Sequence, residues 1–360
     1  MKIYNFSAGP AMLPEAVMRK AQAEFTNFQG SGSGMLELSH RGKFFQPVID
    51  RAEANVRELL NISDEYAVIF VQGGASMQFA MVAMNLLNGG TADYIDTGVW
   101  SNKAAKEAKL FGTANIAASS RESKYDHIPA ASEWKLTPGA AYMHITSNNT
   151  IAGTQYIKLP TAPAGVPLIA DMSSDIMSRT FNVNDFGLIY AGAQKNIGPA
   201  GVALVIMRRE LAARTDVTKV PTMLRYATYI DEGSMFNTPP TFAIYILALI
   251  TDWLKENGGI PAMEKINDEK AKLLYDFLDD SSFYASTVAK ADRSRMNVVF
   301  RTPSEELDAK FVSEATACGL TQLKGHRLVG GCRASIYNAM PIEGVQALID
   351  FMKKFEAANR

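Results

Sequence analysis

The sequence predicts an α/β protein built on a largely parallel sheet, with a smaller α+β unit after it. Two patterns carry this. Short apolar runs alternate with helical stretches through most of the chain, and from Met263 onward long amphipathic stretches take over. The 360 residues are 47% hydrophobic and 20% charged, the balance of a folded globular chain with length for two domains.

The strand-like runs are Tyr66 to Gln72, Thr91 to Asp96, Ala140 to Thr146, Pro167 to Asp171, Leu188 to Ala191 and Val202 to Met207. A helical run from Met77 to Leu87 follows the first of them. The apolar stretch Phe242 to Ile250 comes after Pro239-Pro240, residues a helix tolerates in its first turn, and its helix closes at Gly258-Gly259. Thr251-Asp252 interrupts the apolar run far short of the roughly 20 residues that cross a bilayer. It reads as a buried helix near the end of the large domain. Beyond it, Met263 to Phe277, Ser304 to Cys318 and Gly344 to Ala358 read as amphipathic helices, and Asn297 to Arg301 as a strand between them.

Charge and cysteines exclude several classes of function. Lys plus Arg number 36 against 37 Asp plus Glu, so there is no basic surplus to hold a nucleic acid. Cys318 and Cys332 are not in a Cys-x-x-Cys pair, which speaks against zinc and redox chemistry and for a reducing compartment. The opening Met1 to Ser7 reaches Gly9-Pro10 before the apolar core of an export signal forms. The expectation is a cytoplasmic protein with no metal, nucleic-acid or membrane partner.

Lys195 lies between two strand-like runs with glycines on either side. A half-buried lysine loses its proton more readily and becomes a competent amine nucleophile. Taken alone, the segment is more often a turn lysine with its head in water. Asp171 ends an apolar run, where ligands bind in parallel sheets, and a carboxylate there could hold a pyridine nitrogen protonated. Capping a helix over Ser173 to Met177 is an equal alternative. Gly73-Gly74-Ala75-Ser76 links a strand to a helix and offers free backbone N–H groups to a phosphate, although such turns are common. Trp100 could stack on a planar cofactor or pack in the core. His40-Arg41 and the stretch holding His326, Arg327 and Arg333 place basic side chains beside glycines, as forks for carboxylate or phosphate or as solvated arginines.

Six segments in this order resemble the phosphoserine aminotransferase family, in the class V branch of fold type I pyridoxal-phosphate enzymes. They are Asn5 to Pro14, Gly73 to Phe79, Asp171 to Ile176, Gly192 to Gly201, Asn237 to Thr241, and Gly325-His-Arg through Ala339. The resemblance implies a seven-stranded, mostly parallel large domain plus a smaller α+β one, and the change of pattern after Gly259 sets their limits at residues 16–260 and at residues 1–15 with 261–360. It implies pyridoxal 5'-phosphate held by a Schiff-base lysine, Lys195, with Asp171 on the pyridine nitrogen and Trp100 on the ring. Ala75, Ser76 and Gln194 would hold the phosphate and Thr150 the phenolic oxygen. Asn237 and Thr238 would reach the phosphate from the second subunit of a homodimer. Arg333 maps onto the grip for the substrate α-carboxylate, and His40, Arg41, His326 and Arg327 onto the group for the substrate phosphate or the glutamate side chain. Asn149 departs from the family, where an acidic residue is expected before Thr150.

The activity implied is transfer of the amino group of glutamate to 3-phosphohydroxypyruvate, giving phosphoserine and 2-oxoglutarate, in serine biosynthesis. Some bacterial members also serve pyridoxine synthesis with a phosphorylated hydroxythreonine, and the sequence does not choose between one substrate and two. A cysteine desulfurase would need a mobile thiol, which neither cysteine resembles. An alanine-glyoxylate aminotransferase has no use for four extra basic groups. A non-catalytic scaffold on the same fold would be expected to lack Lys195, Asp171 or Arg333.

Overall fold

The computed structural model describes residues 2–360. The chain opens with β1 (Tyr4–Asn5), α1 (Glu15–Glu24) and α2 (Gln46–Leu60). It continues through β2 (Tyr66–Gln72), α3 (Gly74–Leu86), β3 (Thr91–Asp96), α4 (Val99–Ala108), β4 (Thr113–Ser119), β5 (Met143–Thr146), β6 (Leu168–Asp171), β7 (Leu188–Gly192) and β8 (Val202–Arg208). Helices α5 (Arg209–Ala212), α6 (Tyr226–Asp231), α7 (Thr241–Glu256) and α8 (Gly259–Asp280) follow. The last part holds β9 (Asn297–Phe300), α9 (Glu305–Ala317), β10 (Leu320–Thr321), β11 (Cys332–Ser335) and α10 (Ile342–Asn359).

Seven strands form the central sheet in the order β2-β8-β7-β6-β5-β3-β4. The strands from β3 to β7 are parallel, and β8 runs antiparallel to both β7 and β2. The reason is local. Parallel neighbours need a crossover of about a dozen residues or more, and the link between Gly192 and Val202 is too short for one, so the chain turns straight back. Lys195 sits in that return.

The interior strands β7 and β8 are buried almost throughout, which is why they read as continuous apolar runs. Side chains alternate between two cores. Val68 and Phe70 face α2 and α7, whereas Ile69 and Val71 face α3 and α4. The sequence missed β4 because it is an edge strand whose Thr-Ala-Asn-Ile-Ala-Ala-Ser buries little beyond Ala117.

A third core gathers Phe6 with side chains from Ala271 to Phe355. Here β1 pairs in parallel with β10, and β9 pairs antiparallel with β11. Phe311 is its hub, with ring centroids of Phe300, Phe351 and Phe355 at 5.6, 5.2 and 5.2 Å. Edge-to-face contacts of this kind add about 0.5–1.5 kcal/mol each to the area they bury. Helix α8 joins the cores, giving Ile260 and Met263 to the first and Leu274 and Leu278 to the third.

Between those points, fully buried Lys270 donates to the carbonyls of Ile336, Tyr337 and Met340 at 3.0, 2.8 and 3.0 Å. An unpaired buried charge would be costly. Three carbonyl dipoles satisfy this one and pin the turn after β11.

Candidate active site

The parallel strands deliver their C-terminal ends to one edge of the sheet, and a residue singled out from the sequence follows each of five ends. Gly73 to Ser76 follow β2, Trp100 follows β3, Thr150 follows β5, Asp171 ends β6 and Lys195 follows β7. Gly73, Ala75, Ser76, Trp100, Asp171, Gln194 and Lys195 line a single cleft of about 130 Å³, with Gly74, Phe79 and Ser173. Gly73 and Gly74 turn the chain into α3 at φ of 93° and 66°, which glycine adopts without strain. The amides of that first helical turn, including Ala75 and Ser76, have no intrahelical acceptor.

Lys195 Nζ donates to Thr150 Oγ1 at 2.7 Å and stands 5.4 Å from the Trp100 ring centroid. Burial pulls its pKa down to about 8. Asp171 opposes that shift and the charge of Arg333 adds to it. The head of the lysine thus sits in a cleft on a hydroxyl partner rather than free in water. Asn149, the departure from the family, is buried, and its amide donates to Thr97 and Thr154 hydroxyls, both at 3.1 Å. A neutral anchor thus holds the segment that presents Thr150.

Asp171 is 5% exposed, and its Oδ1 accepts from the Ser173 amide at 2.9 Å and the Ser173 hydroxyl at 2.6 Å. Its other oxygen takes no hydrogen bond among the described residues. Burial raises the carboxyl pKa, while Lys195 and Ser173 pull it back. Residues 173–177 form turns rather than the alternative capped helix. Beneath the carboxylate, Tyr190 pairs with Asp171 in register, and its hydroxyl lies 2.8 Å from His144 Nε2. Burial holds that imidazole neutral, with a pKa of about 3.

Arg333, on β11, crosses from the third core and donates through Nη1 to the Thr150 carbonyl at 3.2 Å. Its Nε and the Trp100 Nε1 are buried with no partner among the described residues. His326 is half-buried on the loop before β11. Burial lowers its pKa first, and the charges of Arg333, Arg327 and Lys103 lower it further, so these groups share one positive field. His326 and exposed Arg327 line a separate groove of about 730 Å³ against α9 rather than the Lys195 cleft.

The remaining candidates lie outside the cleft. Arg41 is exposed, and His40 Nε2 is buried with no partner among the described residues. Asn237 and Thr238 are exposed, held by the Gln72 amide, which donates to Asn237 Oδ1 at 3.2 Å and the Thr238 carbonyl at 2.9 Å. Among the described residues, no group of three His, Cys, Asp or Glu side chains is placed to hold a metal. No helix there is long and apolar enough to cross a membrane.

Sequence reasoning gave no role to Ser173, Gly9 or Tyr337. Tyr337 donates to the Ala8 carbonyl at 2.8 Å, the Ala11 amide to the Gln194 carbonyl at 2.9 Å, and a Cβ on Gly9 would stand 3.2 Å from Lys195 Cγ. The Ser-Ala-Gly-Pro segment was visible as a motif, but its position over the lysine depends on long-range folding.

The cleft fits pyridoxal phosphate by its own chemistry. Free helix-start amides suit a phosphate, a buried carboxylate with one open oxygen suits a protonated ring nitrogen, and an indole face and a deprotonable amine complete the set.

The family profile described as Aminotransferase class-V matches residues 3–348. A phosphoserine aminotransferase of Desulfosudis oleivorans is 56% identical over 99% of both chains, and one of Nitrosomonas europaea is 54% identical over 99% of this chain and 98% of its own. Among solved structures, phosphoserine aminotransferase from Bacillus circulans subsp. alkalophilus superposes with a TM-score of 0.97 at 49% identity, over 100% of this chain and 99% of its own. The pyridoxal-phosphate-bound enzyme from Trichomonas vaginalis gives 0.94 at 40%, over 98% of this chain and 100% of its own. The chain belongs to the class-V aminotransferase family.

Proposed function

We propose that this chain is the transaminase that exchanges an amino group between glutamate and 3-phosphohydroxypyruvate, reversibly giving 2-oxoglutarate and O-phospho-L-serine for serine biosynthesis. The observation that carries it is the Lys195 amine, its pKa drawn to about 8 within 2.7 Å of Thr150, in one cleft with Asp171 and beside Arg333. Relatives named phosphoserine aminotransferase match it from end to end.

Bound pyridoxal phosphate supplies an electron sink for the bond to the substrate α-hydrogen. Lys195 would hold the cofactor covalently and, as a free amine, would carry the proton lost from the substrate α-carbon. Asp171 would keep the ring nitrogen protonated and Trp100 would cover the ring face. Thr150 would bind the phenolic oxygen, and Ala75, Ser76 and Gln194 would bind the phosphate. Arg333 orients the α-carboxylate of either substrate. His40, Arg41, His326 and Arg327 accept the γ-carboxylate or the phosphate, anions of similar reach.

The same reading makes the working unit a homodimer in the cytoplasm. Exposed Phe236 precedes Asn237, and exposed Met77 follows Ser76. A partner covering these side chains would bring Asn237 and Thr238 to the neighbouring phosphate site. Residues 16–260 then form the cofactor-binding domain, and residues 1–15 with 261–360 the small one.

The test is the absorbance spectrum of the purified protein. The yellow band of the lysine-bound cofactor is expected to vanish with glutamate and return with 3-phosphohydroxypyruvate. Return with pyruvate alone would overturn the substrate, and no band after reconstitution would overturn the reaction.

A further inference from the structure

We infer that Ser173 is a positioning residue for the cofactor's ring nitrogen, acting through Asp171: its hydroxyl fixes one carboxylate oxygen so that the other is presented to the cleft as the acceptor. The inference rests on the proposed contact between Asp171 and that nitrogen.

Three hydrogen bonds decide the geometry. The Gly192 amide donates to Ser173 Oγ at 3.0 Å, which uses the hydroxyl as an acceptor and directs its proton elsewhere. That proton goes to Asp171 Oδ1, 2.6 Å away, and the Ser173 amide adds a second donor to the same oxygen at 2.9 Å. Ser173 and Asp171 are 2% and 5% exposed, so water does not compete for these groups. With two donors on Oδ1, the carboxylate cannot rotate without breaking both bonds.

A turn needs only the backbone bond. The hydroxyl does something more, because a donor to a carboxylate favours its ionised form. Burial works the other way, and ring-nitrogen recognition requires the ionised form. Gly192 also ends the strand that leads to Lys195, so one serine ties the carboxylate to the lysine's own support.

The test uses pyridoxamine 5'-phosphate, which binds without a covalent link to Lys195, and its analogue with C–H in place of the ring nitrogen. Titration calorimetry on cofactor-free protein gives the ratio of the two affinities. Wild type is expected to prefer the pyridine, and Ser173→Ala to lower that preference about tenfold or more while binding the analogue as wild type does, since hydrogen bonds to charged groups are among the stronger ones. Unchanged analogue binding also shows that the variant is folded. Ser173→Cys, which fills the same space with a weaker donor, is expected to fall between and serves alone if the alanine variant does not fold.

An unchanged preference in the Ser173 variant, alongside its loss in Asp171→Ala, overturns the inference and leaves the Asp171 contact standing. Equal weakening of both ligands overturns it too, since Ser173 would then be general scaffold. No preference in wild type removes the Asp171 contact, and the inference with it.

Discussion

Replacing Lys195 with methionine in the cofactor-free protein should make the protein more stable near neutral pH. The unfolded chain keeps the lysine proton up to about 10.5, whereas the folded protein keeps it only up to about 8. Below 8 both states are protonated, and the folded one bears the full cost of holding an ammonium in a desolvated cleft. Between the two values the unfolded state binds the extra proton, so raising the pH favours folding. At about 1.4 kcal/mol for each pH unit, the gap from 10.5 to about 8 amounts to ~3 kcal/mol. Methionine keeps the length and removes the charge. In denaturant unfolding at fixed protein concentration, Lys195→Met should therefore exceed wild type by up to ~3 kcal/mol at pH 7. That advantage should shrink steadily from pH 8 to pH 10.5. A difference that stays constant across that range would refute the assignment of the cost to the ammonium.

Other outcomes are expected from the proposed role of Arg41 and from two observed contacts. Arg41→Ala should lower kcat/KM for 3-phosphohydroxypyruvate about tenfold or more, the scale of a charge-assisted hydrogen bond, and steady-state kinetics showing an equal loss on pyruvate would remove its phosphate role. Gly9→Ala places a side chain at φ 144° against Lys195 Cγ. It should cost about 1–3 kcal/mol of stability, seen as a lower melting temperature together with a reduced kcat. Lys270→Met leaves the carbonyls of Ile336, Tyr337 and Met340 without their donor. Burial draws the Lys270 pKa down to about 7, so its removal also relieves a desolvated ammonium. The unpaired carbonyls should outweigh that, leaving a net loss of about 1–3 kcal/mol in denaturant unfolding, and KM should rise as the turn after Arg333 relaxes.

The sheet was legible where burial makes strands uniformly apolar, as in β7 and β8, and illegible at β4, where one face meets water. The two-residue strands β1 and β10 carry too little pattern to be read locally, and their pairing joins residues at opposite ends of the chain. In the site, Lys195 and Asp171 were readable because each closes or follows an apolar run. Arg333 was readable as a basic residue among glycines, but its approach to Thr150 depends on how the third core docks. Ser173 lies inside a segment noted for its neighbour Asp171. Nothing in the sequence shows that its hydroxyl points back at that carboxylate, because the direction is set by Gly192, on another strand.

The pairing of Tyr4 with Leu320 and the seating of Phe6 in the third core set an order of events during synthesis. The first strand leaves the ribosome early and waits for a partner encoded more than three hundred codons later. At about 5–20 residues per second, that interval is roughly 15 to 60 s. Over that time Lys195 and its sheet can form and the Gln194 carbonyl can receive the Ala11 amide, yet the segment over the lysine still lacks Tyr337 and the third core, its other anchors. The nascent chain can therefore hold the amine before the segment over it is secured, a step that waits for Leu320 and Tyr337.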